Sequence, residues 1–370
     1  MSTEVTKRAL SAGLGIGALA LLTPRAQADT AFSAFQFPAT GTATGRTMPD
    51  RLAEIKNVKD YGAVGNGTAD DTAAIQAAVN NVSAPFSSAN RGTIFFPAGT
   101  YRITSPVTFE LSANVRNIGF LGAHGAKLLG SFPDALLKRS VNTPVSSVCS
   151  IENLMLENPH PTGKAIMFHS LVGGKIINCG ISAWRGIETF NSQSVTVDTC
   201  SIIAPAASST SVGIMAGNAT SVISTDVSGY NHGIRHQNVG LIVHGGRFEV
   251  NNVGMMIGMD ENGNAFQSNG FCIKGPSMEA NQTAIQIRAG GGGNISFSSG
   301  GGVPMAYGLW INGCNDCVVA GAVISGAQGF TQAGVRIDGA TRLCMMGVSA
   351  SSWSIAPGVD TSGFIQTNKS

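Results

Sequence analysis

The chain has 370 residues, of which 12% are charged and 48 are glycine, and its formal net charge is +2. The charged fraction is about half of the ~25% found in ordinary soluble domains. The net charge is too small to produce the positive field that binds a phosphate backbone, so nucleic acid is not an expected partner. Many glycines with few charges are typical of short stacked strands joined by tight turns, and not of a helical enzyme.

The first 28 residues have the pattern of a cleaved export signal. Lys7 and Arg8 form a basic start, residues 9–22 are an apolar run, and residues 26–28 form an A-x-A cleavage site. The run is shorter than the ~20 residues that cross a bilayer, so no stable membrane anchor is expected. We expect a mature, secreted or periplasmic chain that starts at Asp29. Its export would use the Sec route or, through Lys7 and Arg8, a twin-arginine-like route, and an uncleaved anchor is the alternative.

Residues 29–56 are predicted to be a linker that ends in a short amphipathic helix. Residues 41–45 are Gly, Thr and Ala, and residues 46–55 have apolar positions at helical spacing. The main domain is then expected to occupy residues 57–370.

Residues 57–105 predict how the main domain begins. Residues 58–61 are interpreted as a short strand, after which glycines allow tight turns. Asp70 and Asp71 are interpreted as N-caps of a helix with helical apolar spacing. Strands rich in β-branched and aromatic residues follow, the first at 93–96. One capping helix followed by many short strands is how a parallel β-helix closes its first coil.

A small residue followed by an aliphatic one recurs from residue 164 onward, at intervals of about 20 to 30 residues, the range of solenoid coils. A second strand-like segment follows each occurrence, and a third often precedes the next. The pairs are Ala165-Ile166, Gly186-Ile187, Gly213-Ile214, Gly233-Ile234, Gly254-Met255, Ala284-Ile285, Gly308-Leu309 and Gly334-Val335. The sequence therefore predicts an all-β, three-faced parallel β-helix, a solenoid, with an N-terminal capping helix.

The seven cysteines do not predict a disulfide framework, because their number is odd and the chain is long. Cys179 and Cys200 fall at one register on successive coils, which favours stacked core thiols. A disulfide between them stays open, since neighbouring strands lie ~4.8 Å apart. Cys314 and Cys317 form a CxxC that lacks a second pair and a nearby histidine, so it is predicted to be structural and not a zinc site.

The block NVKDYGAVGNGTADDTAAIQAAVN, with the later GTIFFPAGTYRI, closely resembles the N-terminal signature of the pectate-lyase-like superfamily. That superfamily includes family 28-related and rhamnogalacturonase/epimerase-like proteins and many phage tailspikes. The resemblance implies a polysaccharide as substrate or ligand. It also implies right-handed, single-stranded winding, which crossover chirality favours as well. The preceding RTMPDRL stretch resembles the neck of tailspike-like proteins, where it leads into trimeric assembly, so a homotrimer is a further expectation.

The chain departs from the catalytic pattern of family 28 hydrolases. Residues 224–226 read Ser-Thr-Asp where that family has Asn-Thr-Asp, and residues 336–338 lack the Lys of Arg-Ile-Lys. No Asp pair lies between them. The mechanism of a family 28 polygalacturonase is therefore disfavoured.

Glu249 and Glu279 form the first candidate site, the carboxylate pair. The segments FEVN at 248–251 and MEAN at 278–281 share a register on consecutive coils. Two outward carboxylates are thus expected one strand spacing, ~4.8 Å, apart. At that distance they raise one another's pKa and suit a glycosidase pair. Two alternatives stay open: a shared Ca²⁺, as in calcium-dependent lyases, and a structural turn that ends the strand in a ladder of asparagines, with Arg247 paired to a glutamate. Beyond Ca²⁺ no cofactor is predicted.

A second candidate site follows the small–aliphatic pairs as an outward row. The row consists of Met167, Glu188, Met215, Arg235, Met256, Gln286, Trp310 and Arg336. Exposed Met and Trp in line with Arg are unusual on a solvated face. In a sugar groove, Trp310 would stack on a sugar while Arg235 or Arg336 would contact uronate carboxylates. Glu188 would be a further substrate contact. A subunit interface or a covering loop is the alternative.

Two classes of function follow from these candidates. The first is an exported enzyme that cleaves or modifies a polysaccharide. It would be a glycosidase that uses the carboxylate pair, or a lyase in which Arg235 or Lys274 lies near the C5 proton and carboxylates hold Ca²⁺. The second is a non-catalytic polysaccharide-binding protein, such as an adhesin or a tailspike-like spike.

Overall fold

The computed structural model describes residues 36–38, 44–47, 51, 54–83, 91–110, 117–140, 145–189, 191–260, 262–301, 303–326, 328–360, 362 and 364–365. The chain divides after Lys56, and residues 57–370 form one of its two units. The predicted export signal at 1–28 lies outside the described residues. Among the helices that are described, none is both long and apolar enough to cross a membrane.

The segment before Asn57 differs from the predicted amphipathic helix. Gln36–Pro38 and Gly45–Thr47 pair as an antiparallel two-stranded sheet, and Ile55–Asn57 is a strand. Both ends of the helix predicted over 46–55 are therefore extended. Residue 51 is helical and residue 54 is in a turn, while residues 48–50 and 52–53 lie outside the described residues. The backbone at 45–47 finds its hydrogen-bond partners in the strand Gln36–Pro38, outside the predicted helix, and the periodicity of the helix segment alone does not reveal this pairing.

A 3-10 turn, and not the predicted strand, opens the main unit at Val58–Tyr61. The Asn57 side chain accepts the N–H of Lys59 at 3.0 Å and so caps the turn. Gly62 closes the turn with a φ of 98°, a conformation that favours glycine. The next strand after this turn is Asn66–Asp70. Local capping therefore outweighs the β-propensity on which the strand prediction depended.

The helix Thr72–Ser83 caps one end of the solenoid, as predicted. Ile75 and Val79 on its apolar face are fully buried in the core that the first strands share. The two aspartates before it have different partners. Asp70 accepts the N–H of Thr72 at 3.0 Å, whereas the buried Asp71 accepts two N–H groups of the glycine-rich loop that precedes the helix. Asp70 is thus the helix cap, and Asp71 fixes the loop.

The strands of the main unit stack into three faces of parallel strands, which confirms the predicted parallel β-helix. Face 1 is an 11-stranded sheet, and faces 2 and 3 are two successive flats of a 23-stranded sheet. Each strand pairs with the corresponding strand of the next coil, as Ile242–His244 and Arg247–Glu249 both do with Cys272–Glu279. A five-stranded sheet lies at the corner between faces 1 and 2.

Face 1 consists of Val107–Thr108, Ala135–Arg139, Lys164–Phe168, Arg185–Glu188, Val212–Ala216, His232–His236, Val253–Ile257, Thr283–Ile287, Met305–Ile311, Phe330–Ile337 and Trp353–Ile355. Face 2 consists of Arg91–Phe96, Asn117–Gly122, Val145–Glu152, Leu171–Ile177, Val195–Asp198, Thr220–Ile223, Ile242–His244, Val318–Ala320, Cys344–Met346 and Phe364–Ile365. Face 3 consists of Asn66–Asp70, Gly99–Arg102, Ala126–Leu129, Met155–Asn158, Gly180–Ala183, Ser201–Ile203, Asp226–Ser228, Arg247–Glu249, Val323–Ile324 and Ser349–Ala350. Two long strands, Cys272–Glu279 and Asn294–Gly300, contribute to both face 2 and face 3. The corner strands are Asn238–Val239, Ser268–Asn269, Gly290–Gly291, Cys314–Asn315 and Ala340–Thr341.

The small–aliphatic repeat marks the strands of face 1, and packing explains both of its positions. A Cβ atom added to Gly213 would lie 2.7 Å from the carbonyl oxygen of Gly233 on the next strand and would also meet a methyl group of Val227 on face 3. Ile214, the next residue, is fully buried and stacks on Ile234 of the following coil. Only a small residue fits where two faces approach each other, and an aliphatic one fills the core beside it.

Four cysteines of the main unit test the predictions made for them. Cys179 and Cys200 are free and buried, so stacked core thiols, and not a disulfide, describe this pair. The structural role predicted for the CxxC takes the form of a disulfide between Cys314 and Cys317.

Candidate functional site

The outward row predicted from the sequence lies on face 1, but much of it is covered. Met167, Met215 and Met256 are only 8%, 2% and 3% exposed, so the expectation of exposed methionines is wrong. The members of the row, Met167, Glu188, Met215, Arg235, Met256, Gln286, Trp310 and Arg336, are paired in register on consecutive strands. A second column, which the sequence analysis did not predict, runs beside it through Lys164, Arg185, Val212, His232, Val253, Thr283 and Tyr307. The two columns bring cationic and aromatic side chains onto one face.

A cleft of about 380 Å³ opens over the middle of face 1. Insertions that precede the strand Val212–Ala216 and follow the strand Val253–Ile257 contribute to its walls. The lining residues are Arg185, Ser209, Thr210, Asn231, His232, Arg235, Met259, Asn262 and Gly263. Arg235 is only 8% exposed. The covering loop that the sequence analysis kept as an alternative is therefore present, and it leaves an opening beside both arginines.

The insertion after Val253–Ile257 is folded around Asp260. The carboxylate of Asp260 accepts the N–H of Asn264 at 2.7 Å and that of Asn262 at 3.0 Å. The Asn264 hydrogen bond is the main reason that the pKa of Asp260 lies below its usual range. The guanidinium of Arg235 donates to the Asp260 carbonyl, and Arg288 donates to the loop backbone at 3.0 Å. Two arginines thus fasten this wall of the cleft to the solenoid.

Glu188 lies two strands from Arg235 and is almost completely buried among donors. Lys164 Nζ lies 2.8 Å from one carboxylate oxygen, and Arg185 Nη1 lies 3.5 Å from the same atom. His169 Nε2 lies 3.5 Å from the other oxygen. Burial acts to raise the pKa of Glu188, but these partners outweigh it and lower the pKa to about 2. Glu188 is therefore an anion in contact with two cations, one of which, Arg185, lines the cleft.

A compact group that we call the aromatic box, Tyr307, Trp310, Arg336 and Asp338, lies further along face 1. The ring centroids of Tyr307 and Trp310 are 4.7 Å apart, and the Arg336 guanidinium carbon lies 5.1 Å from the Trp310 centroid. Asp338 accepts Arg336 Nε at 2.9 Å and Trp310 Nε1 at 2.7 Å. The predicted neighbours Trp310 and Arg336 are therefore adjacent. The charge of Arg336 is balanced within the box, and Trp310 is its partly exposed ring, since Tyr307 is buried.

The carboxylate pair lies on face 3, away from the cleft. The register pairs Glu249 with Glu279, which confirms the adjacency that the sequence predicted. Arg247 contacts Glu249 at 3.3 Å and Asp226 at 2.8 Å, while Ser277 donates to Glu279 at 2.9 Å. Both carboxylates thus have local partners on the surface of a strand.

A strand-ending turn explains why the E-x-N pattern recurs. Val250 and Ala280, which follow the two glutamates, have φ values of 57° and 52°. The next residues, Asn251 and Asn281, are buried, and Asn251 Nδ2 donates to Asn281 Oδ1 at 3.1 Å. The ladder of asparagines that the sequence analysis kept as an alternative is therefore present. No group of three or more His, Cys, Asp or Glu side chains arranged to hold a metal ion occurs in the part of the chain that the structure describes.

The chain matches a known protein family over most of its length. The family model for rhamnogalacturonase A/epimerase, pectate lyase-like proteins matches residues 55–298. The chain belongs to this family. The resemblance inferred from residues 57–105 is thereby confirmed for the pectate-lyase-like group as a whole.

Individual relatives of this pectate-lyase-like chain match it only in part or only in fold. Mannuronan C5-epimerase AlgE1 of Azotobacter vinelandii is 44% identical over 68 residues, which are 17% of this chain and 5% of that protein. The A-module of A. vinelandii mannuronan C-5 epimerase AlgE4 covers 84% of this chain and 100% of the module, at 14% identity and a TM-score of 0.59. The match to the Dettilon tailspike protein covers 89% of this chain and 74% of the tailspike chain, at 15% identity and a TM-score of 0.56. The two structural matches show a shared fold.

Within this pectate-lyase-like solenoid, the predicted site residues separate into two groups. Glu188, Arg235, Trp310 and Arg336 share face 1, whereas Glu249 and Glu279 share face 3. Lys274, the alternative lyase residue, pairs with His244 on face 2. The structure thus brings together the residues of the outward row, and it does not bring the carboxylate pair to them.

His232, like Arg185, is a cleft residue that does not belong to the outward row. Gly233 and Ile234 are both buried, so that His232 and Arg235 are the outward positions of one strand, three residues apart. A strict two-residue alternation gives only one of them. Burial and the nearby charge of Arg235 lower the pKa of His232 to about 4. The signal in the sequence was the small residue itself, because a glycine inside a strand often marks a local irregularity.

Proposed function

We propose that this protein binds and acts on an anionic polysaccharide that lies along face 1 across the cleft. The observation that carries the proposal is the presence of Arg185 and Arg235 in the wall of one cleft with His232. A guanidinium recognises a carboxylate through two parallel hydrogen bonds, and each uronate sugar carries one carboxylate. The mannuronan epimerases among the relatives support a uronate polymer as the substrate class.

The proposed ligand is a chain and not a single sugar. Arg235 and Trp310 are three strands apart on the same column, which corresponds to ~14 Å at the usual strand spacing. Arg235 would contact a uronate in the cleft while Trp310, with Arg336 at its edge, would stack on a sugar further along. Glu188 would act through Arg185, by holding its guanidinium at the cleft.

The proposed reaction begins at C5 of a uronate. Elimination by a lyase and inversion by an epimerase both start with removal of the C5 proton, which becomes more acidic when cations neutralise the adjacent carboxylate. Arg235 would supply that charge, assisted by Arg185, and the proton would pass to a water molecule in the cleft, because the described lining holds no carboxylate to accept it. A glycosidase that uses Glu249 and Glu279 is a second proposal, supported by their pairing on adjacent strands.

A binding-only function is the other candidate, and one observation favours it. The described residues that line the cleft include no carboxylate, and the nearby Glu188 is engaged with Lys164 and Arg185. A cleft that holds cations but no carboxylate base suits recognition of an anionic polysaccharide without a chemical step.

A panel of polymannuronate, alginate, polygalacturonate and rhamnogalacturonan, each with and without Ca²⁺, distinguishes these candidates. Unsaturated products identify a lyase, exchange of the C5 proton for deuterium without cleavage identifies an epimerase, and reducing ends alone identify a hydrolase. A hydrolase that loses activity in Glu249→Gln and Glu279→Gln would favour the carboxylate pair over the cleft. Affinity for a uronate polymer without product would identify a binding protein, and the absence of any affinity would refute the proposal.

Export and assembly are separate proposals that come from the sequence. We propose that residues 1–28 are removed on export and that the mature chain forms a homotrimer. N-terminal sequencing of the protein recovered outside the cytoplasm should begin at Asp29. Light scattering coupled to size-exclusion chromatography should give three times the mass of the mature chain. An intact N-terminus in the exported protein or a monomer mass would contradict the respective proposal.

A further inference from the structure

A relay of two asparagine side chains ends at His232 in the wall of the cleft. Asn252, on the next coil, donates from Nδ2 to Asn231 Oδ1 at 2.9 Å. Asn231 Nδ2 lies 3.2 Å from His232 Nδ1. Asn231 and His232 both line the cleft, so the relay runs from the surface of one coil into the cleft of its neighbour.

The direction of this relay determines which imidazole nitrogen carries the proton. Because Asn231 Oδ1 accepts from Asn252, its amide group is directed at His232 Nδ1 as a donor. Nδ1 must then be the acceptor, and a neutral imidazole with an accepting Nδ1 carries its hydrogen on Nε2. An imidazolium, which has hydrogens on both nitrogens, would set two donors against each other at the Asn231 contact.

We propose that His232 is held neutral in the Nε2–H tautomer by the Asn252–Asn231 relay, and that it serves as a hydrogen-bond donor to the anionic sugar and not as a base. A general base needs an unprotonated nitrogen directed at the proton it removes. In His232 the unprotonated nitrogen is already occupied by Asn231. This inference rests on the proposed function, which supplies the identity of the ligand. It adds His232 to the residues of the cleft that bind that ligand.

The charges around His232 agree with a neutral donor. Arg235 is the outward neighbour on the same strand, and Arg185 also lines the cleft, so both described cations would repel an imidazolium. Asp260, the described acidic residue of the adjoining wall, directs its carboxylate at the N–H groups of its own loop. Two cations and one N–H donor together form an array suited to a carboxylate.

The tautomer can be measured without any ligand, in the full chain labelled with ¹⁵N-histidine. Long-range ¹H–¹⁵N correlation spectra, with His232→Gln for assignment, should show a protonated Nε2 and an unprotonated Nδ1 throughout pH 5 to 8. In Asn231→Asp the carboxylate accepts from Nδ1, so the tautomer should reverse and the ring should titrate at higher pH. A protonated Nδ1 in the wild type, or ordinary titration between pH 6 and 7, would overturn the proposal.

Two substitutions separate a donor from a base when polymannuronate and polygalacturonate are the probes. Glutamine places an amide N–H near the position of Nε2, whereas asparagine replaces only Nδ1. We expect His232→Gln to keep polymer affinity within about twofold and His232→Asn to lose about tenfold, the effect of one hydrogen bond to a charged group. His244→Gln, an exposed histidine on face 2, is the control and should change neither affinity nor the His232 signals.

The outcomes distinguish this inference from the proposed function. Equal loss of affinity in His232→Gln and His232→Asn would refute the donor role even where polymer binding is strong. If the wild type binds no uronate polymer, the proposed function fails, and the spectra alone decide whether the relay fixes the tautomer.

Discussion

Faces 1 and 3 are built from the same short parallel strands, yet their charged residues have different surroundings. On face 1, insertions from neighbouring coils rise around Arg235 and His232 and leave a cleft. On face 3, Glu249 and Glu279 sit on a strand surface beside tight turns, with Arg247 as a partner. Both sets recur along the solenoid, but only the first is enclosed. Enclosure by segments that do not repeat is therefore a better indicator of a site here than recurrence.

The largest expected difference between the two faces concerns their glutamates. Glu188→Gln should reduce the free energy of unfolding by about 3–5 kcal/mol, because it leaves Lys164 and Arg185 without their buried anion. Glu249→Gln, which removes a half-exposed pair with Arg247, should cost under about 1 kcal/mol. Urea denaturation at neutral pH measures both. Equal losses would show that burial does not distinguish the two faces.

The same glutamate predicts a pH dependence. The pKa of Glu188 is lowered from 4.5 to about 2 in the folded protein. Its contribution to stability is therefore complete above pH 4.5 and is lost as the pH falls toward 2. Denaturation curves at several pH values should show this slope in the wild type and in Glu249→Gln but a smaller slope in Glu188→Gln. An unchanged slope in Glu188→Gln would assign the acid sensitivity to other groups.

The glycines of the two faces give the second comparison. Gly213→Ala places a methyl group against the Gly233 carbonyl and Val227, so we expect a loss of about 1–3 kcal/mol. Gly300→Ala at the edge of face 3 is the matched control, since the nearest atoms to its Cβ are at 3.7 Å, and it should be close to neutral. The shift of the urea midpoint measures each effect. Equal midpoints would mean that face 1 can move apart to admit the methyl group.

These comparisons also show what the sequence could predict. The small–aliphatic pairs, such as Gly213-Ile214, repeat because every coil meets the same packing constraint, and for that reason the three-faced solenoid was predictable. The cleft was not, because residues such as Thr210 and Asn262 lie in insertions that occur in single coils. The E-x-N repeat suggested a pair of catalytic carboxylates. In the structure the repeat also has a structural cause, because its buried asparagines hydrogen-bond to each other from Asn251 to Asn281.

Local exceptions limited the rest of the prediction. The sequence did not predict His232 as an outward residue, because Gly233 and Ile234 both face the core. Two inward residues in succession interrupt the alternation of inward and outward positions on which the row was based. The strand expected at 58–61 is a 3-10 turn because the Asn57 side chain supplies a cap. In both cases one side chain or one glycine overrides a periodic pattern, and a pattern averaged over many residues does not detect this.

The arginines give the third comparison, in affinity for polymannuronate or polygalacturonate. Arg235→Ala should weaken binding by about 10- to 100-fold, the effect of losing charge-assisted hydrogen bonds to a carboxylate. Arg247→Ala, the exposed arginine of face 3, should leave affinity within about twofold. Isothermal titration calorimetry of both variants measures the difference. A comparable loss in Arg247→Ala would move the binding surface to face 3.

A control is needed because Arg235 also holds the loop around Asp260. Arg288→Ala removes another fastening of the same loop, at 3.0 Å, from a residue that is absent from the cleft lining. If Arg235 binds the ligand directly, Arg288→Ala should have only a small effect on affinity. If the two variants weaken binding equally, Arg235 acts by holding the wall of the cleft.

The smallest effect is expected at the aromatic box, and it should depend on ligand length. Trp310→Ala should weaken binding of long uronate oligomers by about three- to tenfold, the range of an aromatic contact. Binding of a disaccharide should not change, because ~14 Å separates Trp310 from Arg235. Trp310→Phe keeps a ring beside Tyr307 but loses the Nε1 bond to Asp338, so it should retain most of the length dependence. Loss in Trp310→Phe equal to that in Trp310→Ala would assign the effect to that hydrogen bond. No loss at either length would place the aromatic box outside the path of the chain and confine recognition to the cleft, whereas equal loss for short and long oligomers would mean that Trp310 acts on the structure of the cleft and not on a distant sugar.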